Sequence, residues 1–278
     1  SRILFDRPSG DTGVTAIPFA AFRALRPGTA TDTPVSQGRR LDTPNREQAV
    51  DRVVGEFAVV GALTRSVADR FEGAFRTYRG ELQWLADGAP TVADAARDVI
   101  AVLEAAGSAF SAAFPNQAPT DCAAGCAFCC HLPVAAPPGI AGMIADHVAE
   151  TFSSEARSAL MVRLSAAEAL AIAAADPTSL RHRCPLLGPD NHCSVYAVRP
   201  ISCRAFTSPS AKRCEALIAG AVPEGGIPQN ASLFRMHRDA TAVLEQTARV
   251  RGEPAMQKGL AEALLDAMGR PGEDAASS

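Results

Sequence analysis

The chain has 278 residues, 47% of them hydrophobic, and a formal net charge of −3. That near-neutral balance gives no pull toward nucleic acid or an anionic membrane, and no apolar run reaches the ~18 residues a membrane-spanning helix needs. The opening residues, Ser-Arg-Ile-Leu-Phe-Asp, lack the basic and apolar regions of a secretion signal. They also lack a starting methionine, which leaves a removed segment open. The default compartment is the cytoplasm, where thiols stay reduced and clustered cysteines bind metal more often than they pair.

Residues 1–43, rich in Pro, Gly, Thr and Arg, read as an extended or partly ordered arm. An amphipathic helix follows: Val50, Val53, Val54, Phe57, Val60, Leu63, Val67, Phe71, Phe75, Tyr78, Leu82 and Leu85 recur at steps of one, three or four. The Asp87-Gly88-Ala89-Pro90 turn stops it. Thr91 and Asp94 then stand at capping-box spacing ahead of a second stripe through Val99, Leu103, Ala106, Phe110 and Phe114. Residues 44–118 are therefore expected to form a helical hairpin. Its role is scaffold.

Pro137-Pro138 suits the first turn of another helix, running to about Glu150. Residues 154–175 are again helical, as one kinked helix or as two, with Ser165 and Glu168 at capping-box spacing. From 181 to 214 Pro, Gly, Asn and Asp interrupt every pattern. Helix returns with Leu233, His237, Ala240, Val243, Leu244 and Val250 on one face, Pro254 is expected to open a last short helix, and residues 270–278 read as a frayed tail. No β-alternation is sustained. The expected class is mainly α: a helical bundle scaffold around an irregular, loop-rich cysteine-cluster metal site at 119–216, with the helices of 217–278 packing on the core.

All eight cysteines lie between residues 122 and 214. Cys122, Cys126, Cys129 and Cys130 form a dense first group; Cys184, Cys193, Cys203 and Cys214 are dispersed. Soft thiolates are the favoured ligands of zinc and of iron–sulfur centres. Positions 122, 126 and 129 share one face of a helical turn, whereas the adjacent Cys129 and Cys130 diverge by about 100° on a helix and are hard to place on one ion. A bridging sulfur, a second metal or a reactive thiol would each account for the pair.

Irregular backbone such as 181–214 holds its shape poorly by packing alone, and metal supplies what the core does not. The same stretch carries Arg181, Arg183, Arg199, Arg204, Lys212 and Arg213 against the single acid Asp190. A cationic shell of this kind would offset the negative charge of a thiolate-bound metal. His131, His182 and His192 each lie within two residues of a cysteine and are candidates to complete a mixed nitrogen–sulfur shell. His131 and His192 are retained as candidate further ligands. Eight cysteines also fit disulfides, but a mainly helical chain of this length does not need that staple.

The run Cys122-x3-Cys126-x2-Cys129-Cys130, followed by Cys184-Pro-Leu-Leu, Cys193-Ser-Val-Tyr196 and Arg199-Pro-Ile-Ser-Cys203-Arg204, resembles the YkgJ-type cysteine-cluster family over roughly residues 120–215. That family is described as chelating zinc or iron. The resemblance implies that Cys122, Cys126, Cys129, Cys130, Cys184, Cys193 and Cys203 occupy motif positions, with Cys214 the less secure trailing one. Tyr196, Arg199 and Arg204 also match, as groups that orient ligands or balance charge. The cysteine pattern is similar as well to that of flagellin lysine methylases, which implies an iron–sulfur centre and an enzymatic role. Three functions are thus in view: binding of iron (including as an iron–sulfur cluster) or zinc; a metal- or cluster-dependent enzyme acting on a peptide or protein side chain; and metal storage or trafficking. The implied partners are a metal ion and, for the second reading, a peptide or protein.

Overall fold

The computed structural model describes residues 46–221 and 225–270. The expected N-terminal arm, and the expected tail from residue 271 on, lie outside them. By its contacts the chain divides into two units, residues 1–58 and 59–278. The described part of the first is the opening of helix α1 (Arg46–Gly88), whose Val50, Val53, Val54 and Phe57 are exposed.

In the second unit, the apolar stripe of α1 turns inward only near its end. Phe75, Leu82 and Ala86 are buried, while Val59, Val60, Leu63 and Val67 are not. Helix α2 (Val92–Ala113) starts as its sequence predicts: the Asp94 N–H donates to Thr91 Oγ1 at 3.0 Å. It buries Val92, Ala95, Ala96, Val99, Ile100 and Leu103 and packs on α7 (Ala231–Val250) and α3 (Ile140–Thr151). Helix α8 (Leu260–Met268) fills the space between α3 and α4 (Ser154–Ala173) with the buried Leu264 and Leu265. Each such side chain removed from water contributes roughly 1.5–3 kcal/mol. The mainly α class is as read from the sequence.

Two helix starts differ from the sequence reading, for one reason. Ala135–Ala136 (β1) pairs antiparallel with Lys258–Gly259 (β2), and the Leu260 N–H donates to Val134 O at 2.9 Å. The prolines at 137–138 therefore sit between strand and helix, so α3 begins at Ile140, and α8 begins at Leu260 rather than at Pro254. Strands two residues long leave no period to detect. Helix α4 is a single helix capped by Ser153, whose Oγ accepts from the Ala156 N–H at 3.2 Å. Ser165 lies inside it, and Glu168 instead meets the Arg270 guanidinium through two 3.0 Å bonds.

Gly139 allows the turn into α3. Its φ of +80° lies in the left-handed region, and a β-carbon there would fall 2.1 Å from the Val92 carbonyl oxygen. Replacing Gly139 by Ala should cost ~3 kcal/mol of stability in denaturant unfolding. Gly80→Ala, in helical backbone with no atom within 4 Å of the added carbon, should instead leave stability unchanged or raise it by up to ~1 kcal/mol.

Candidate metal centre

Within residues 121–218, the segments on either side of α3 and α4 contain little regular structure and are shaped largely by hydrogen bonds between distant stretches of backbone. The first cysteine group turns at Gly125 (φ +84°), where the Cys126 N–H donates to Ala123 O at 3.0 Å, and enters a 3-10 turn at Phe128–His131. Two clasps then hold the dispersed cysteines against it. The Cys184 N–H donates to Cys130 O at 2.8 Å and the His182 N–H to His131 O at 3.2 Å. At the other end the Asp121 N–H donates to Ser208 O at 2.8 Å, Asp121 Oδ2 accepts from the Ala211 N–H at 2.9 Å, and the Ser208 N–H points at Cys122 Sγ at 3.3 Å.

Further local turns place the remaining thiols. Leu187 and Cys193 form a β-bridge around a tight turn, with Asn191 at φ +61°. The Leu187 N–H donates to Cys184 O at 3.0 Å, which brings residues 184 and 193 to one end of that turn. Cys203 lies on the short helix α5 (Ile201–Ala205), tied down by Ser202 Oγ donating to Ala135 O at 3.0 Å. Cys214 lies on α6 (Ala211–Ile218), which packs against the 3-10 turn. Cys122 is exposed, Cys214 is buried and the other six are half-buried; all eight are free thiols.

The electrostatics report which sulfurs lie near one another. Burial raises the Cys122 thiol pKa, and Cys126, Cys129 and Cys214 raise it further. Burial likewise pushes Cys184 up to about 11, with Cys193 and Cys129 adding to it. Cys203 is driven up by burial and then by Cys184, Cys129 and Cys193. Cys129 itself is raised first by its hydrogen bond with Cys130, and the nearby Arg199 pulls it back down. One sulfur, Cys129, therefore neighbours thiols from both parts of the chain.

The matched cations play different parts. Arg199 stacks on the Tyr196 ring with its guanidinium carbon 4.3 Å from the centroid, and its Nε is buried without a partner. It lowers the pKa of Cys129, Cys193 and Cys203. Arg204 is buried, donates to Arg199 O at 2.9 Å and Ala197 O at 2.7 Å, and pairs with Glu104 of α2. It shapes the turn that presents Arg199.

Of the histidines, His131 Nδ1 is bonded to Ala127 O at 3.0 Å and His192 Nδ1 to Asp190 O at 3.0 Å, leaving each with only its other nitrogen. His182 Nδ1 is buried with no hydrogen-bond partner. Among the described residues it is the one imidazole nitrogen buried without a bond. The sequence signalled it only through its neighbour Cys184.

Among the described residues, no three Cys, His, Asp or Glu side chains already stand as a closed ligand cage. The donors nevertheless suit zinc or iron: free thiols from two segments gathered about Cys129, a cation beside them, and a buried imidazole nitrogen without a bond. A metal held here would replace the thiol protons that burial now retains.

The raised thiols set a pH dependence for the metal-free protein. Above about pH 9 the unfolded chain loses thiol protons that the folded chain keeps, because burial holds Cys184 at about 11. The unfolded state then binds fewer protons, so stability falls with rising pH. The melting temperature of metal-free protein should drop between pH 8 and pH 10.5. A Cys184→Ser variant should show a shallower drop.

The comparison with known proteins agrees with this geometry. Residues 121–218 match the model of a family named CxxCxxCC and described as "Putative zinc- or iron-chelating domain". No curated protein matches the chain, and no solved structure does. The first spacing, Cys122-x3-Cys126, carries one residue more than the family name spells, within the turn at Gly125. The matched stretch begins at the Asp121 clasp and ends with α6, so the likeness to the CxxCxxCC zinc- or iron-chelating family is confined to the stretch that carries the cysteines.

Proposed function

We propose that the chain chelates zinc or iron through thiolates drawn from both cysteine segments, with Cys129 as the sulfur they share. The observation that carries this reading is the position of Cys129, close enough to Cys122, Cys184, Cys193 and Cys203 to raise the pKa of each. A cluster of thiolates at that spacing is stable only beside positive charge, and a metal ion is the largest source of it. Cys126, Cys130 and Cys214 complete the donor set on the side of the 3-10 turn, and His182 is added to it beside His131 and His192. Arg199 offsets residual negative charge, and Tyr196 holds its guanidinium flat. Iron in this setting extends to a cysteine-ligated iron–sulfur cluster.

A second reading, a metal-dependent enzyme acting on a peptide or protein side chain, draws on one feature. A cleft of about 500 Å³ opens beside the centre, with His182 and Cys184 on one wall and Leu132, Val134, Leu180 and Ile172 supplying apolar surface. Such a space suits a single extended side chain. Nothing comparable favours storage or trafficking.

Anaerobic purification followed by metal and sulfide analysis and a visible spectrum tests the proposal. Colourless protein with stoichiometric zinc would remove the iron–sulfur form, and a broad band near ~400 nm from thiolate-bound iron would remove zinc. Cys129→Ser should lower metal content at least severalfold, whereas His147→Ala on α3 should leave it unchanged. Equal metal content in the two variants would refute the ligand assignment. Chelation of the metal should also lower the unfolding temperature of the wild-type protein, because bound metal contributes to folding.

A further inference from the structure

Two separate parts of the chain hold the 3-10 turn at Phe128–His131, and each brings three thiols to it. The first is built on α6, which packs against the turn. Cys214 lies in the opening turns of that helix, its N–H donating to Ser210 O at 3.3 Å. Cys122 is tied to the start of the same helix. Its sulfur accepts from the Ser208 N–H at 3.3 Å, and the neighbouring Asp121 Oδ2 accepts from the Ala211 N–H at 2.9 Å. The bend at Gly125, closed by the Cys126 N–H donating to Ala123 O at 3.0 Å, folds Cys126 back toward Cys122. Cys122, Cys126 and Cys214 therefore form one group.

The second group comes from the loops after α4. The Cys184 N–H donates to Cys130 O at 2.8 Å, and the Ser194 N–H donates to Leu186 O at 2.9 Å across the turn that brings Cys193 back beside Cys184. Helix α5 carries Cys203, fixed by the Ser202 bond to Ala135 O. Cys184 and Cys193 pack against the hydrophobic core, whereas Cys122 is exposed. The electrostatics agree with this division. Burial, then Cys126, Cys129 and Cys214, raise the Cys122 thiol pKa; burial, then Cys184, Cys129 and Cys193, raise that of Cys203. Cys129, on the turn itself, is common to both. A zinc ion in a thiolate site takes four sulfurs, and each group supplies three. One shared thiolate completes both, and leaves the pair one negative charge lighter than two separate four-thiolate sites.

We propose that the centre holds two divalent metal ions joined by the Cys129 thiolate, with Cys122, Cys126 and Cys214 completing four sulfurs around one ion and Cys184, Cys193 and Cys203 around the other. This rests on the chelating function proposed above and specifies its stoichiometry. As the two ions enter, the protons of these seven thiols leave to solvent. Cys130, hydrogen-bonded to Cys129, is the eighth thiol and is required by neither ion. The adjacent pair is thereby accounted for, since only one of two diverging side chains serves the junction. Because Cys122 is exposed, the ion on the α6 side lies nearer solvent and exchanges first.

Metal analysis and cadmium NMR of the full chain, its own metal exchanged for cadmium-113, test this. Two ions per chain are expected, giving two resonances that split each other through the shared sulfur. Cys122→Ser should remove the ion on the α6 side and Cys203→Ser the ion on the core side, each leaving one ion and one unsplit resonance. Cys130→Ser should keep both ions and the splitting. The wild-type spectrum decides the bridge even where a variant fails to fold. One ion per chain, two unsplit resonances, or loss of the splitting in Cys130→Ser would overturn the proposal and leave the chelating function standing. Inorganic sulfide in the anaerobically purified protein would overturn it equally, because sulfide rather than Cys129 would then join the metals. A chain that takes up no metal at all would overturn both.

Discussion

The crowding of buried thiols is the constraint on which the cysteine-bearing loops of residues 121–218 depend. Sulfurs from the 122–130 and 184–214 stretches are held near Cys129, and burial alone would keep them protonated. Deprotonating so many soft donors side by side has a cost that a bound cation would offset. Arg199 supplies part of that charge from the side, and the clasps keep the donors from relaxing apart. Outside α3 and α4, this stretch gains little from apolar burial: Leu186, Leu187, Val195 and Ile201 are the main buried aliphatics of its loops and short helices. The order of these loops therefore rests largely on hydrogen bonds, while the surrounding helices rest on packing.

That division explains how the two parts meet. The helices contribute a few fixed points to the cysteine domain: Arg163 of α4 donates to Pro185 O at 2.9 Å, Glu104 of α2 pairs with Arg204, and Ala135 O accepts from Ser202. Each contact fixes a turn next to a cysteine, and none fixes a cysteine directly. The scaffold thus sets the positions of the turns, and the thiols settle within the frame that results. A cleft bounded by His182 and Cys184 on one side and α4 and α8 on the other follows from the same construction.

Periodic features were legible in the sequence. The end of α1 at Asp87-Gly88, the Thr91 cap and the buried face of α7 follow from local pattern, because each is set within one or two turns of chain. The boundaries of α3 and α8 were not legible, because each is fixed by a two-residue strand partner more than a hundred residues away. At the site, spacing and flanking residues named the cysteines. Spacing could not show that Cys129 stands between two sets of sulfurs, that Arg204 is tied into the turn through Arg199 O and Ala197 O, or that His182 is the imidazole with a nitrogen to spare. Those facts arise from the long-range clasps 130–184, 131–182 and 121–208, which leave no local trace.

The clasps have a consequence for how such a domain can change. The bonds at 130–184, 131–182 and 121–208 join peptide groups, not side chains. Residue 182 or 184 can be exchanged for another type without removing the bond that positions it, provided it is not proline. Donor identity is therefore separable from backbone geometry at these positions. Mutational drift can alter the balance of sulfur and nitrogen around the centre, and with it the preference among metals, while the loops keep their course.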